Sequence, residues 1–299
     1  MIGHLATLAD LIERAPRSAV ELKSFGLAAG RAHFEPSDDF AAQHYQVLCH
    51  ELMPAASVFL EPGAVMGGTV SDRAWTIMAS AGFEPDTTSI LADHLSSSLR
   101  FIRFLLVQGR PDDARAYLEE EILSWLPPFL DRLRTFEFAQ MAQIAGALED
   151  VVERIQLGSS NAAWSRPYTA ARWKLLESAF SLDEERTSLA EIAEYLASHA
   201  ASGLMIPKSL LAHEARSHRL PTGFGSRART IEGMLRSAAQ YDALGGICDF
   251  FDNEIAAHQA TWNQWSTKGA AHWAAEWSQK LSKTQNVIRQ LRQAESESA

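Results

Sequence analysis

The chain is poor in the residues that define small cross-linked proteins and fibrous proteins. Its 299 residues include two cysteines, Cys49 and Cys248, which lie far apart and in no Cys-x-x-Cys pair. A disulfide framework and a cysteine-rich zinc or iron–sulfur site are therefore excluded. With 17 glycines and 11 prolines, the chain is neither collagenous nor of low complexity.

Long apolar runs and basic charge are also scarce. The stretch 101–107 is interrupted by Arg103 and is far shorter than the ~20 residues that a membrane-spanning helix needs. The N-terminus has no basic region followed by an apolar run, so we expect a cytoplasmic protein without a signal peptide. The net charge of −10 disfavours binding to nucleic acid and favours a cationic partner.

Helical patterns dominate what is present. Apolar residues from Met141 to Ile155 recur at steps of three and four, and Ser188-x-x-Glu191 is a capping box. Asp93 is predicted to be the N-cap of a helix that carries Leu95 and Leu99 on its apolar face. The segment 53–69, rich in proline and glycine, is predicted to be the least helical part of the chain.

Motifs for catalysis or metal binding are weak. His213 and His218 are five residues apart, about 140° around a helix, so they cannot chelate one zinc ion. The sequence contains no phosphate-binding glycine loop and no Gly-x-Ser-x-Gly motif. The late tryptophans are predicted to pack in the core: Trp262, Trp265, Trp273 and Trp277. We therefore predict no catalytic residues, no metal and no cofactor.

An ordered set of short motifs carries a family resemblance. The motifs are Met53-Pro54-Ala55-Ala56-Ser57-Val58-Phe59-Leu60-Glu61-Pro62-Gly63, Ala81-Gly82-Phe83, Leu91-Ala92-Asp93-His94-Leu95, Trp125-Leu126-Pro127-x-Phe129 and Leu220-Pro221-x-Gly223-Phe224. In this order and spacing they resemble the TorD/DmsD/NarJ family of redox-enzyme maturation chaperones. The resemblance spans roughly residues 40 to 245.

Some positions depart from the family pattern. Ala56 and Phe59 stand where the family has an acidic residue and a tyrosine. Ser98 and Arg100 stand on the helical turn after His94, where the family tends to carry acidic residues. These departures predict an unusual client.

The resemblance implies an all-α fold with one helical-bundle domain and extra C-terminal helices. N-terminal helices are expected over 1–40 and the TorD-like domain over 41–245. In that domain a hinge near 84–94 is expected to join two helical halves. A C-terminal helical extension with a frayed tail is expected over 246–299.

The implied function is that of a cytoplasmic chaperone. It would bind the twin-arginine signal peptide, or another N-terminal segment, of a molybdoenzyme catalytic subunit and hold that subunit for cofactor insertion. The resemblance and the aromatic and acidic residues near it suggest these peptide-binding or hinge residues: Ser57, Phe59, Glu61, Trp75, Asp93, His94, Trp125, Pro127 and Phe129. The acidic run Glu119-Glu120-Glu121 is expected to border the apolar groove.

The sequence also bears on other partners and on alternative functions. Neither nucleic acid nor direct membrane insertion is expected, and the sequence leaves open whether the chain is a monomer or a domain-swapped homodimer. One alternative function is a helical adaptor that recognises a folded partner. The other is an enzyme of a type that the sequence does not name.

Overall fold

Helices account for 78% of the residues that the computed structural model describes. Those residues are 2–15, 38–63, 66–86, 88, 90–157, 180, 187–222 and 224–298. Across these ranges there is no β-strand, and one isolated bridge pairs Ala55 with His94. The predicted all-α fold class is confirmed. None of the described helices combines the length and the apolar character that crossing a membrane requires.

The chain divides into two compact units. The first comprises residues 1–61, 65–174 and 268–270, and the second comprises 62–64, 175–267 and 271–299. The predicted hinge segment 84–94 lies inside the first unit. Most of the predicted N-terminal region 1–40 lies outside the described residues, and so does Gly223 of the fifth motif.

The first unit begins and ends with long helices around several short ones. Its helices are α1 (Ile2–Glu13), α2 (Asp38–Tyr45), α3 (Ala56–Leu60), α4 (Gly68–Ser80), α5 (Leu95–Val107), α6 (Pro111–Tyr117), α7 (Leu126–Thr135) and α8 (Ala139–Leu157). The π-helical segments Gln46–Glu51 and Leu118–Ile122 follow α2 and α6. Since α3 lies within 53–69, the prediction that this segment is the least helical is wrong for residues 56–60.

The second unit contains a pair of short helices followed by longer ones. Its helices are α9 (Leu189–Ala197), α10 (His199–Ser202), α11 (Lys208–Ser217), α12 (Arg227–Gln240), α13 (Leu244–Trp265) and α14 (Ala271–Ser298). The predicted capping box is confirmed at the start of α9, where Ser188 and Glu191 bond reciprocally. Gly203 ends α10 with a left-handed φ of +80°, a conformation that glycine adopts without steric cost.

Packing between α1 and α5 forms one side of the first core. The α1 residues Leu5, Leu8 and Leu11 are at most 1% exposed. They face a helix whose Leu95 and Leu99 are at most 3% exposed, so the two apolar stripes exclude water together.

Polar side chains complete the edges of this core. Arg100 of α5 pairs with Asp10 at 2.7 Å and with Glu13 at 2.6 Å, both on α1. Ser98 shares a hydrogen bond of 3.1 Å with the hydroxyl of Tyr117. The two departures from the family pattern after His94 are therefore explained by contacts inside this unit.

Aromatic packing defines the core of the second unit. All four late tryptophans are at most 2% exposed, which confirms their predicted place in the core. Trp262 and Trp277 stack with centroids 5.9 Å apart, and His199 stacks on Trp277 at 4.4 Å. Burial lowers the pKa of His199 well below its usual value, and nearby His258 adds to that shift.

Candidate functional site

The motif segments 53–63 and 91–95 meet where two helices begin. The N–H of Leu95 donates to the carbonyl of Pro54 at 2.7 Å, and the N–H of Ala56 donates to the carbonyl of Asp93 at 3.1 Å. These two bonds form the antiparallel bridge between Ala55 and His94. The N-termini of α3 and α5 are thereby held side by side, although 39 residues separate their starts in sequence.

Asp93 caps α3 rather than the helix that follows it. Its carboxylate is 2% exposed, and Oδ2 accepts a hydrogen bond of 2.7 Å from the N–H of Ser57 in the first turn of α3. The prediction that Asp93 is the N-cap of α5 is therefore wrong. The physical reason is that the bridge turns Asp93 toward α3, whose short N-terminus has no capping side chain of its own.

His94 is the N-cap of α5. Its Nδ1 accepts from the N–H of Ser96 at 3.2 Å and lies 2.7 Å from the Ser96 hydroxyl. Burial lowers the pKa of His94 to about 4, and the opposing attraction of Asp93 and Glu13 is smaller. The imidazole is neutral at pH 7, with its proton on Nε2, because Nδ1 must keep its lone pair free to act as the cap.

Glu61 and Ser57 fix the start of α4. Glu61 Oε1 accepts from the Thr69 hydroxyl at 2.7 Å and from the N–H of Val70 at 2.9 Å, so it caps α4 from outside that helix. The Ser57 hydroxyl accepts from the N–H of Gly67 at 3.0 Å. A Cβ on Gly68 would lie 2.8 Å from Glu61 Oε1, and its φ of +75° also favours glycine.

Three predicted site residues form a buried aromatic cluster. Phe59 stacks on Trp125 with centroids 5.1 Å apart, and Phe129 packs edge-on against both rings. All three side chains are at most 2% exposed, and Pro127 is also buried. This cluster anchors α3 to the start of α7 and presents no ring to solvent.

Trp75 differs from these aromatic residues because it is 51% exposed. It lies on α4 one turn after the exposed Asp72, whereas Val70, Ala74 and Ile77 form the buried face of the same helix. The structure therefore brings an exposed ring and a carboxylate together on one helix face.

The acidic run 119–121 is largely engaged in ion pairs. Arg73 binds Glu121 through both Nε and Nη2, the shortest contact being 2.6 Å. Arg115 binds Glu119 at 2.9 Å. Two of the three carboxylates expected to border the groove are thus neutralised by neighbouring arginines.

Within the described ranges, no group of three or more His, Cys, Asp or Glu side chains is arranged to hold a metal ion. His218, one of the two histidines considered above, pairs with Glu214 of the same helix at 2.9 Å.

Comparison with known proteins bears directly on this site. The family model described as nitrate reductase delta subunit matches residues 21–131, a segment that contains all nine predicted site residues. It is a family of chaperones and not of catalysts. Over this part of the chain the match confirms the resemblance to the TorD/DmsD/NarJ family. No curated protein and no solved structure matches the chain.

Proposed function

We propose that the protein is a cytoplasmic chaperone that binds the N-terminal segment of a molybdoenzyme catalytic subunit, including a twin-arginine signal peptide where the client has one. It holds that subunit until the cofactor has been inserted. The observation that carries the proposal is the family match over 21–131, because that range contains both motifs joined at the Ala55–His94 bridge. The description of the matching family makes a nitrate-reductase-type catalytic subunit the first client to test.

The nine residues divide by their exposure into supporting and contacting groups. Ser57, Glu61 and Asp93 accept bonds that fix the starts of α3 and α4. The Phe59 cluster holds α3 against α7. Among the nine predicted site residues, Trp75 has a large exposed apolar surface, so we assign it direct contact with the client.

The chemistry of the client follows from Trp75 and from the charge of the chain. Burying one Leu or Phe of the client contributes ~1.5–3 kcal/mol, whereas an exposed Arg–carboxylate pair contributes ~0.2–1 kcal/mol. The apolar part of the client therefore sets the affinity. Asp72 and the overall charge of −10 orient a cationic segment and speed its approach.

Calorimetric titration with a synthetic peptide tests this assignment. The peptide is the N-terminal segment of a nitrate-reductase-type catalytic subunit, the first client to test. Trp75→Ala is expected to weaken binding about tenfold or more, because the ring loses its apolar contact with the client. Tyr45→Ala is the matched control, since Tyr45 is also a largely exposed aromatic residue of the first unit, at 58%.

The controls decide between the proposal and its alternatives. Equal affinities of the Trp75→Ala variant and the unaltered chain contradict the assigned contact. Binding to the folded catalytic subunit, with no binding to any N-terminal peptide, indicates the helical adaptor instead.

A further inference from the structure

A basic segment in the second unit stands out from an acidic chain. Residues 208–229 contain five basic residues and one acidic residue, a net charge of +4 in a chain whose total is −10. The basic residues are Lys208, Arg216, Arg219, Arg227 and Arg229. Its described part comprises α11, the loop residues 218–222 and 224–226, and the first turn of α12.

Most of these cations face solvent. Lys208, Arg216, Arg219 and Arg229 are exposed. Among the described residues, no carboxylate lies within salt-bridge distance of Arg216, Arg219 or Arg229. The single acid of the segment, Glu214, pairs with His218. The positive charge of this surface is therefore not cancelled locally.

Phe224 projects from the loop between these cations. Its side chain is 97% exposed, more than any other large apolar side chain in the described part of the chain. The base of the loop is fixed, since Leu220 is buried and Lys208 Nζ donates to the carbonyl of Gly225 at 3.0 Å. An apolar ring thus stands in water between anchors at Leu220 and Gly225.

The backbone at the start of the loop adopts an unusual conformation for an arginine. Arg219 has a φ of +57°, in the left-handed region that helix ends usually fill with glycine. An exposed arginine stands there instead, at a steric cost.

We propose that residues 218–222 and 224–226 and their flanking cations bind the surface of a membrane rich in anionic phospholipid. The boundary between headgroups and acyl chains in a bilayer can accommodate the ring of Phe224, so no preformed pocket is needed. Lysine and arginine near an anionic leaflet each strengthen binding about fivefold. The remainder of the chain carries a net charge of −14 and is on balance repelled by the same leaflet, which favours approach through this surface. The contact is peripheral and uses none of the nine residues assigned to the client site.

Co-sedimentation of the full chain with vesicles tests the proposal. We expect binding to vesicles of phosphatidylcholine and phosphatidylglycerol, little binding to phosphatidylcholine alone, and a loss of binding as salt is raised. Phe224→Ser is expected to weaken binding about tenfold. Neutralising Arg219 and Arg229 together by glutamine is expected to weaken it about 25-fold.

Tyr241→Ser is the control variant. Tyr241 is an aromatic residue of the same unit, 64% exposed and outside 208–229, so its loss is expected to leave vesicle binding unchanged. All substituted side chains are exposed, and far-UV circular dichroism checks that the variants keep their helices. Equal binding to neutral and anionic vesicles, or no binding to either, overturns the proposal. Retention on immobilised polyglutamate without vesicle binding also overturns it and indicates an acidic protein partner.

Discussion

Replacement of Asp93 by alanine separates the structural role of this residue from any role in binding. In the native chain the Asp93 carboxylate accepts the N–H of Ser57 at 2.7 Å, and both residues are almost fully buried. Alanine leaves that N–H without its acceptor and without access to water. A stranded buried donor costs ~1–3 kcal/mol, and a lost N-cap costs ~1 kcal/mol.

The stranded N–H of Ser57 and the lost N-cap are two descriptions of one broken hydrogen bond, so a single cost applies. We expect Asp93→Ala to lower the free energy of unfolding by about 2 kcal/mol. Urea unfolding followed by circular dichroism measures the change, provided that the slope of the transition is unchanged. Asp86→Ala is the control, because Asp86 is exposed and its side chain bonds with Thr88, two residues away, where the structure describes it. A loss below ~0.5 kcal/mol for Asp93→Ala refutes the account of the cap.

The same substitution, combined with His94→Ala, tests the binding role. We expect the double variant to bind the client peptide more weakly below its unfolding transition, because the starts of α3 and α5 lose their common support. Full affinity in the double variant leaves capping as the only role of these two residues.

Two further predictions concern stability. Because burial depresses the pKa of His94 to about 4, the folded state resists protonation that the unfolded state accepts below pH ~6.5. Neutral His94 stabilises the fold fully above pH ~6.5, and this stabilisation decreases by about 2 kcal/mol between pH 7 and pH 5. Urea titrations at both pH values measure the loss of stability. The variant His94→Asn is expected to remove the part of the loss that comes from His94. Gly68→Ala is expected to destabilise by ~1–2 kcal/mol, since its φ is +75° and its Cβ meets Glu61. Gly146→Ala, at an uncrowded helical position, is expected to stabilise by ~0.5–1 kcal/mol; thermal unfolding that ranks the two alanine variants the other way contradicts the geometry.

The fold class could be predicted from local patterns because helical periodicity and capping motifs act over a few residues. The Ser188 capping box and the burial of the late tryptophans were predictable for this reason. The exposure of Trp75 follows the same rule, since Val70, Ala74 and Ile77 define the apolar stripe of α4 on another side.

Interactions between distant residues were not predictable in this way. A carboxylate before a helix usually caps that helix, so the sequence pattern assigned Asp93 to α5. Its actual partner, Ser57, is 36 residues away. The short helix α3 was missed for the same reason, because its cap comes from that distant residue. The family resemblance identified the segments that meet, whereas only the structure shows which of their side chains are buried.

The central claim is that an apolar, cationic N-terminal segment of a molybdoenzyme is the client, and titration calorimetry with peptide variants tests it most directly. The peptide is compared with a variant in which glutamine replaces its two arginines and with a variant in which serine replaces its Leu and Phe residues. We expect a modest loss of affinity for the first variant and a near-complete loss for the second. Equal losses for the two variants, or no binding of any N-terminal peptide, would contradict it.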